Sequence, residues 1–542
     1  MCTFKLVSCL EKVFCDKLPQ AEFYPPEGLL NEKAAFQAVW RADSAEFTRA
    51  LVNLEIRSAL APYIKLYRVS DVPVGFPWIP CADDNYLRTD PGLFPDALIP
   101  TNGKNLRLFS FRYSAVWIEI DAPDSVQAGE YPITLALTDA NGTVLAEAST
   151  VYKRIGARLP EQRLIHTRWF HSDGLCSYYG VKMFDEEFWR ICENFMRAAA
   201  DMSVNCLLTP VHTPPLDTAV GGERLTCQLT DIVKSGDEYA FGFEKLERWI
   251  RLAQKCGIRY FEIVHFFTQW GARHAPKIIA VENGCEKQLF GWDTDALSDE
   301  YTSFLKQYIT ALRQELTRLG VLENCLFHIS DEPGNDHLEY YSAARASVKK
   351  ELEGLTVIDA LSSIELYNAG AVEHPVPATN HIKPFLDAKI PGLWAYYCTG
   401  QFEKVSNAFI SMPLARERII GLQMYKYDIS GFLHWGFNFY NSQYSLFSIN
   451  PWRTTDGDGF SPSGDCFIVY PGENGEAYPS LRSKVFEMAV NDLRACRLLE
   501  EKCGRDTVMS VIEKDIPPLE FDEYPKEAEY LFDVRRRINA LL

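Results

Sequence analysis

Apolar residues along this chain fall into two textures. Up to about residue 160 they come in short alternating runs. YPITLALT (131–138) sets Ile133, Leu135 and Leu137 against more polar neighbours, the period of two expected of a half-buried strand. AVWIEID (115–121) reads as a second strand. Asn141-Gly142, followed by Val144 and Leu145, predicts a tight hairpin turn. With the Pro- and Gly-rich stretch around 72–103, residues 1–160 are expected to form a β-sandwich with irregular loops.

Beyond residue 160, continuous apolar runs alternate with stretches of helical period. Phe188, Ile191, Phe195, Ala198 and Met202 share one face of a helix expected over 185–202. A second helix is expected near 243–255. A third begins near Tyr301, carries Phe304, Leu305, Tyr308, Ile309, Leu312 and Leu316, and stops at Gly320. Strand-like runs lie at 164–173, 205–212, 258–267, 325–330, 356–363, 375–381, 393–398 and 431–437, eight in all. Alternating β and α units in that number predict a multidomain α/β chain: a β-sandwich domain (1–160), a (β/α)8 TIM-like barrel (161–505) and a C-terminal helical extension (506–542). An open doubly wound sheet is the alternative, since the fifth and sixth strands rest on short runs. The connection 438–480, rich in Gly, Pro, Asp and aromatics, is longer than a turn needs, and loops of that length tend to carry function.

Composition narrows the field. Of 542 residues, 47% are hydrophobic and 13% aromatic, ample for packed cores. Fifty-five Lys and Arg against 73 Asp and Glu give a formal net charge of −18, a surface that repels phosphate backbones, so nucleic acid is not an expected partner. No run approaches eighteen uncharged apolar residues, so no membrane span is expected. The fifteen cysteines are scattered singly, without zinc-binding spacing, and their odd number fits reduced thiols. Lys5, Glu11 and Lys12 interrupt the first apolar residues, unlike a secretory leader, so the expected location is cytoplasmic. Phosphate-loop, dinucleotide, HExxH and GxSxG motifs do not occur, and DGDG at 456–459 lacks the remaining ligands of a calcium loop. No metal or organic cofactor is expected. Oligomeric state is not legible.

The chemistry concentrates at strand ends, where α/β barrels build their active sites. CLFHISDEP (325–333) closes the fourth run with adjacent carboxylates, Asp331 and Glu332. Pro333 excludes Glu332 from the right-handed helical region and is expected to keep it extended. A strand-end acid that merely caps the next helix is the competing explanation. His265 and Gln269, with Trp270, follow the third run. Trp394 and Tyr397, with Tyr396, belong to the seventh, and Trp435 and Asn438, with His434 and Tyr440, to the eighth. Aromatic faces with nearby amides and imidazoles suit a sugar ring, although such aromatics also serve as core lids. His171, Asp173 and His212 are further rim candidates.

HISDEP, with FGWDTDA (290–296) upstream and LHWGFNFY, GDCFIVYPG (464–472) and PSLR (479–482) downstream, resembles glycoside hydrolase family 123 over about residues 160–505. The resemblance implies a glycan or glycoconjugate substrate and release of β-linked N-acetylgalactosamine. It makes Glu332 the acid/base and Asp331 the residue that orients the substrate's acetamido group. His265, Gln269, Trp394, Tyr397, Trp435 and Asn438 are the expected sugar contacts. Adjacent carboxylates suit a substrate-assisted retaining mechanism, because an acid and an enzymic nucleophile must stand about 5 to 5.5 Å apart across the sugar. The alternatives are a conventional glycosidase whose second carboxylate is Asp173 or Asp465, and a non-catalytic carbohydrate-binding or scaffold protein on the same barrel.

Overall fold

The computed structural model describes residues 2–20, 22–44 and 49–542. It divides into two compact units: one of Met1–Gln162, Glu403–Lys426 and Tyr478–Leu542, the other of Arg163–Phe402 and Tyr427–Ala477.

The first unit holds two five-stranded sheets. One orders Cys2–Val7, Ala34–Ala42, Ser114–Ile120, Ile64–Val74 and Gly92–Thr101; the other orders Glu27–Leu30, Val144–Arg158, Gly129–Thr138, Arg49–Arg57 and Leu106–Phe109. The alternation seen in YPITLALT sends Ile133, Leu135 and Leu137 into one core with Phe36, Trp40, Val116 and Ile118 of the facing sheet. The expected hairpin is present. Asp139 accepts the N–H groups of Asn141 and Thr143 at 2.9 and 2.8 Å, and Gly142 takes a φ of 83°.

Helix Leu481–Cys503 also belongs to this unit, whereas the linear domain expectation assigned it to the barrel. Side-chain charge explains its place. Arg482 grips Asp96 of a sheet strand through two hydrogen bonds of 2.9 Å, and Lys484 pairs with Glu119 at 2.6 Å. Arg418 and Arg535 converge on Asp492 of the same helix, tying in the helices Leu414–Arg418 and Ala528–Leu541.

The second unit is built on an eight-stranded parallel sheet: strand one Ile165–Arg168, two Cys206–Thr209, three Tyr260–Ile263, four Cys325–Phe327, five Thr356–Leu361, six His374–Pro377, seven Trp394–Tyr396 and eight Gly431–His434. Seven fall within the expected runs, and strand six starts one residue ahead of its own. Their spatial order is six-five-four-three-two-one-eight-seven. Strand one therefore lies between two and eight, as a barrel requires and an open doubly wound sheet does not. The outer strands approach through an Ala378–Tyr396 bridge, with the Thr379 N–H 2.9 Å from the Tyr396 carbonyl, so the barrel is nearly closed.

The helical layer is less regular than a full (β/α)8 ring. Glu186–Asp201, Glu244–Lys255 and Asp299–Arg318 are long, with Asp185 and Ser298 as N-caps of the first and third. The connections after strands five and six hold only the short helices Ile364–Asn368 and Lys383–Asp387. The helices between strands seven and eight, Leu414–Arg418 and Ile420–Lys426, group with the first unit. The loops after strands two and three build a further four-stranded sheet from Asp231–Ser235, Glu238–Gly242, Ile278–Glu282 and Cys285–Phe290. No helix among the described residues is long and apolar enough to cross a membrane.

Candidate active site

Side chains from the carboxyl ends of all eight barrel strands enclose a cavity of about 440 Å³. Strand four supplies Asp331 and Glu332, strand three Gln269 and Trp270, strand one Trp169 and His171, strand two Leu216 and Asp217. Ser362, Asn380, Tyr396 and Trp435 stand on the remaining strand ends.

Past strand four the pleat breaks down. Glu332 is not extended, as its proline neighbour led one to expect, but has a φ of 44°. Pro333 closes the right-handed helical region to it, and the chain takes the left-handed well, at a cost of about 1–2 kcal/mol for a residue with a Cβ. In an extended strand successive side chains point to opposite faces. The turn at Glu332 removes that constraint, and both acids reach the same cavity. The neighbouring loop braces the break, with the Trp270 N–H bonded to the Asp331 carbonyl at 3.0 Å and the Ser330 hydroxyl to the Thr268 carbonyl at 2.7 Å.

The two carboxyls have different surroundings. Glu332 Oε1 accepts a 2.6 Å hydrogen bond from the Tyr396 hydroxyl. Burial and then the charge of Glu332 push the Asp331 carboxyl well above the usual carboxylate range, with His328 opposing them. Among the described residues no Lys or Arg pairs with either acid.

Beneath them lies a buried polar network. His328 Nε2 is 2.7 Å from Glu262 Oε1 and its Nδ1 is 3.3 Å from Asp359 Oδ1. Tyr341 donates to the other oxygen of Asp359, and Thr167 and Trp169 donate to Glu262. Burial disfavours a charged imidazole, but the two carboxylates outweigh it and raise His328 to about 9. His265, His328 and Asp359 are the described residues whose donor atoms converge closely enough for a metal. They are a poor ligand set. Both His328 nitrogens face carboxylates, and the His265 ring stacks on His328 at 4.1 Å and 28°, so their in-plane lone pairs run side by side and do not meet at one point.

The family model for the glycoside hydrolase 123 catalytic domain matches residues 169–499, more than half of the chain. The chain belongs to glycoside hydrolase family 123. A family 123 glycoside hydrolase from Clostridium perfringens, studied for glycolipid glycan hydrolysis, superposes with a TM-score of 0.73 over 100% of this chain and 97% of its own, at 14% identity. That likeness bears on the fold. A putative β-galactosidase from Bacteroides fragilis reaches a TM-score of only 0.32 at 9% identity, covering 85% of this chain and 59% of its own. No curated protein matches the chain by sequence.

Within this family 123 barrel the expected sugar contacts separate into two groups. Gln269 and Trp435 stand on the cavity wall. His265, Trp394, Tyr397 and Asn438 lie behind it. His265 is buried between His328 and Trp169. Trp394 covers Gly431, its register partner on strand eight, where any Cβ would collide with the indole. Tyr397 is wholly buried, edge-on to Phe432 and His434, while Tyr396 takes the place on the wall. Asn438 clamps the His171 backbone, accepting its N–H at 2.8 Å and donating to its carbonyl at 3.2 Å.

Of the rim candidates, His171 reaches the wall, with its imidazole held to about 4 by burial and by Arg224. Asp173 is paired with Arg224, which outweighs burial and holds it below the usual carboxylate range. His212 Nε2 is bonded to the His265 carbonyl at 2.9 Å. Asp465 is surrounded by Thr399, Ser461, His434 and Trp435, which orient the indole of Trp435 and hold the acid low despite its burial. Asp217 escaped the sequence reading. Its signal is slight: an acid after Pro214-Pro215 at the end of strand two.

Proposed function

We propose that this family 123 protein is a β-N-acetylhexosaminidase that releases N-acetylgalactosamine from glycoconjugates such as glycolipid glycans by substrate-assisted, retaining hydrolysis. The observation that carries this reading is the adjacent pair Asp331 and Glu332 opening on one cavity with no cation partner among the described residues. Glu332 gives its proton to the glycosidic oxygen as that oxygen leaves the anomeric carbon, and the substrate's acetamido oxygen bonds to the same carbon from the opposite face. Asp331 holds the acetamido N–H and offsets the positive charge of the oxazolinium ring that results. Water then attacks the anomeric carbon, its proton passes to Glu332, and the bond to the acetamido oxygen breaks. Two inversions leave the β configuration unchanged.

A conventional two-carboxylate mechanism gains no support from Asp173 or Asp465, since the first is tied to Arg224 and the second to four hydrogen-bond donors. Tyr396 keeps Glu332 oriented through the first step. Replacing Glu332→Gln is expected to lower hydrolysis of 4-nitrophenyl N-acetyl-β-galactosaminide by about two to four orders of magnitude, the usual contribution of a general acid, with the unfolding midpoint unchanged. Undiminished turnover would remove Glu332 from the mechanism.

A further inference from the structure

Trp270 is a large side chain that the catalytic scheme does not use, and its setting is unfavourable on two counts. It stands on the cavity wall with Glu332, yet it is 44% exposed. Its backbone has a φ of 55°, in the left-handed region that a bulky residue rarely enters. Its indole N–H has no partner among the described residues. The other two tryptophans of the wall commit theirs, Trp169 to Glu262 at 2.7 Å and Trp435 to Asp465 at 3.0 Å.

The fold holds the residue in that setting. Trp270, Gly271 and Ala272 take successive φ values of 55°, 117° and 56°. The Trp270 N–H bonds the Asp331 carbonyl at 3.0 Å and the Ala272 N–H bonds the Thr268 carbonyl at 3.2 Å, so the turn is fastened to the end of strand four. A Cβ on Gly271 would stand only 3.1 Å from the His337 ring, which packs against the same turn. From the outer side Tyr444 meets the indole edge-on, with ring centroids 6.0 Å apart at 85°. Its loop is tied in turn to the end of strand two. The Tyr444 carbonyl accepts the Ala219 N–H at 3.1 Å, and the Ser445 hydroxyl bonds the Asp217 carbonyl at 2.8 Å. Leu446 and Phe447 on this loop are exposed, as Tyr444 is. Backbone strain that the surroundings over-determine, and apolar side chains left to solvent beside a cavity, are both marks of a surface kept for a ligand.

We infer that Trp270, backed by Tyr444, is the platform for the sugar on the leaving side of the scissile bond, its indole face lying against the apolar face of that pyranose. This rests on the reading of Glu332 as the acid that protonates the glycosidic oxygen. With the N-acetylhexosamine inside the cavity, that oxygen and whatever it carries face the mouth, and Trp270 spans from the acid pair to solvent. A flat apolar face with a free N–H donor beside it suits a ring that has both an apolar face and hydroxyls, and suits a bare alkyl chain less well. The substrate is then an oligosaccharide, and the second ring adds to its affinity.

The test is a binding cycle on the whole chain. The methyl thioglycoside of β-linked N-acetylgalactosamine, and its counterpart with galactose in place of the methyl group, are titrated calorimetrically into the wild type, Trp270→Ala and Trp270→Phe. Both ligands are linked through sulfur to resist hydrolysis. The disaccharide is expected to bind the wild type about 10-fold more tightly than the methyl thioglycoside, the scale of an aromatic face contact. Trp270→Ala should bring the two affinities together, whereas Trp270→Phe, which keeps a ring face, should retain most of the difference. Equal affinities in the wild type, or a difference that survives in Trp270→Ala, would overturn the platform and leave the cavity a sugar site. An octyl thioglycoside that gains as much as the disaccharide, and loses it in Trp270→Ala, would also overturn it by making the rim a general apolar surface. So would a Trp270→Phe variant as weak as Trp270→Ala with the unfolding midpoint lowered in both, which makes the indole a structural prop. A wild type that binds neither saccharide would end the sugar-site reading itself, and this inference with it.

Discussion

Asp96 in the β-rich unit and Asp331 at the barrel mouth are both carboxylates drawn away from solvent, and they keep opposite company. Asp96 meets a fully buried guanidinium, Arg482, through both oxygens. Glu119 pairs with Lys484, and Asp492 is shared by Arg418 and Arg535. Burial alone would raise Glu119, but Lys484 and Lys33 outweigh it and hold the acid below its usual range. For Asp331 burial and Glu332 act together against His328 alone, and the acid rises. The same residue type is a structural clamp where a cation neutralises it and, on the proposed mechanism, a reagent where none pairs with it.

The comparison breaks most visibly at Arg482. Substitution by Met removes both Arg482 hydrogen bonds from the buried Asp96 and should cost about 3–5 kcal/mol in urea denaturation at neutral pH. Replacing Asp96→Leu as well should recover most of it. A smaller effect is expected from the barrel's own buried cation. His328 is raised to about 9 from an unfolded value near 6.5, so the stability it lends is complete below about pH 6.5 and is lost as pH climbs through 9, a change on the order of 3 kcal/mol. His328→Gln should flatten that window in denaturation curves at successive pH values. The smallest effect concerns Asp331. Its folded pKa is raised, so ionisation above the ordinary carboxylate range works against the fold. Asp331→Asn should leave stability at pH 7 unchanged or higher by about 1 kcal/mol while abolishing most turnover. A loss as large as that for Arg482→Met would make Asp331 another structural clamp.

Much of this was legible before any coordinates. Parallel strands covered on both faces read as continuous apolar runs, which is why all eight appeared, and the three long barrel helices announced themselves by their period. The acid pair stood out because two adjacent charges end such a run. That same two-sided burial hid the direction of side chains. In LWAYY every position is apolar or aromatic, so nothing told Tyr396 on the wall from Trp394 against Gly431 or Tyr397 against Phe432. Asn438 read as a sugar contact because its partner, the backbone of His171, is 267 positions distant. The left-handed turn at Glu332 was beyond the rule for residues before proline, which excludes one region without choosing between the others. An amphipathic helix such as Leu481–Cys503 declares a face to bury and not what it will be buried against, and only Arg482 and Lys484 reveal its partners.

The substrate-assisted mechanism makes the acetamido group of the sugar the nucleophile, so the most direct measurement compares 4-nitrophenyl N-acetyl-β-galactosaminide with 4-nitrophenyl β-galactoside at equal enzyme concentration. The first should be hydrolysed and the second should be almost inert, with kcat/KM lower by at least about three orders of magnitude once the internal nucleophile is gone. Comparable rates on the two sugars would contradict the mechanism and require an enzymic nucleophile in the cavity.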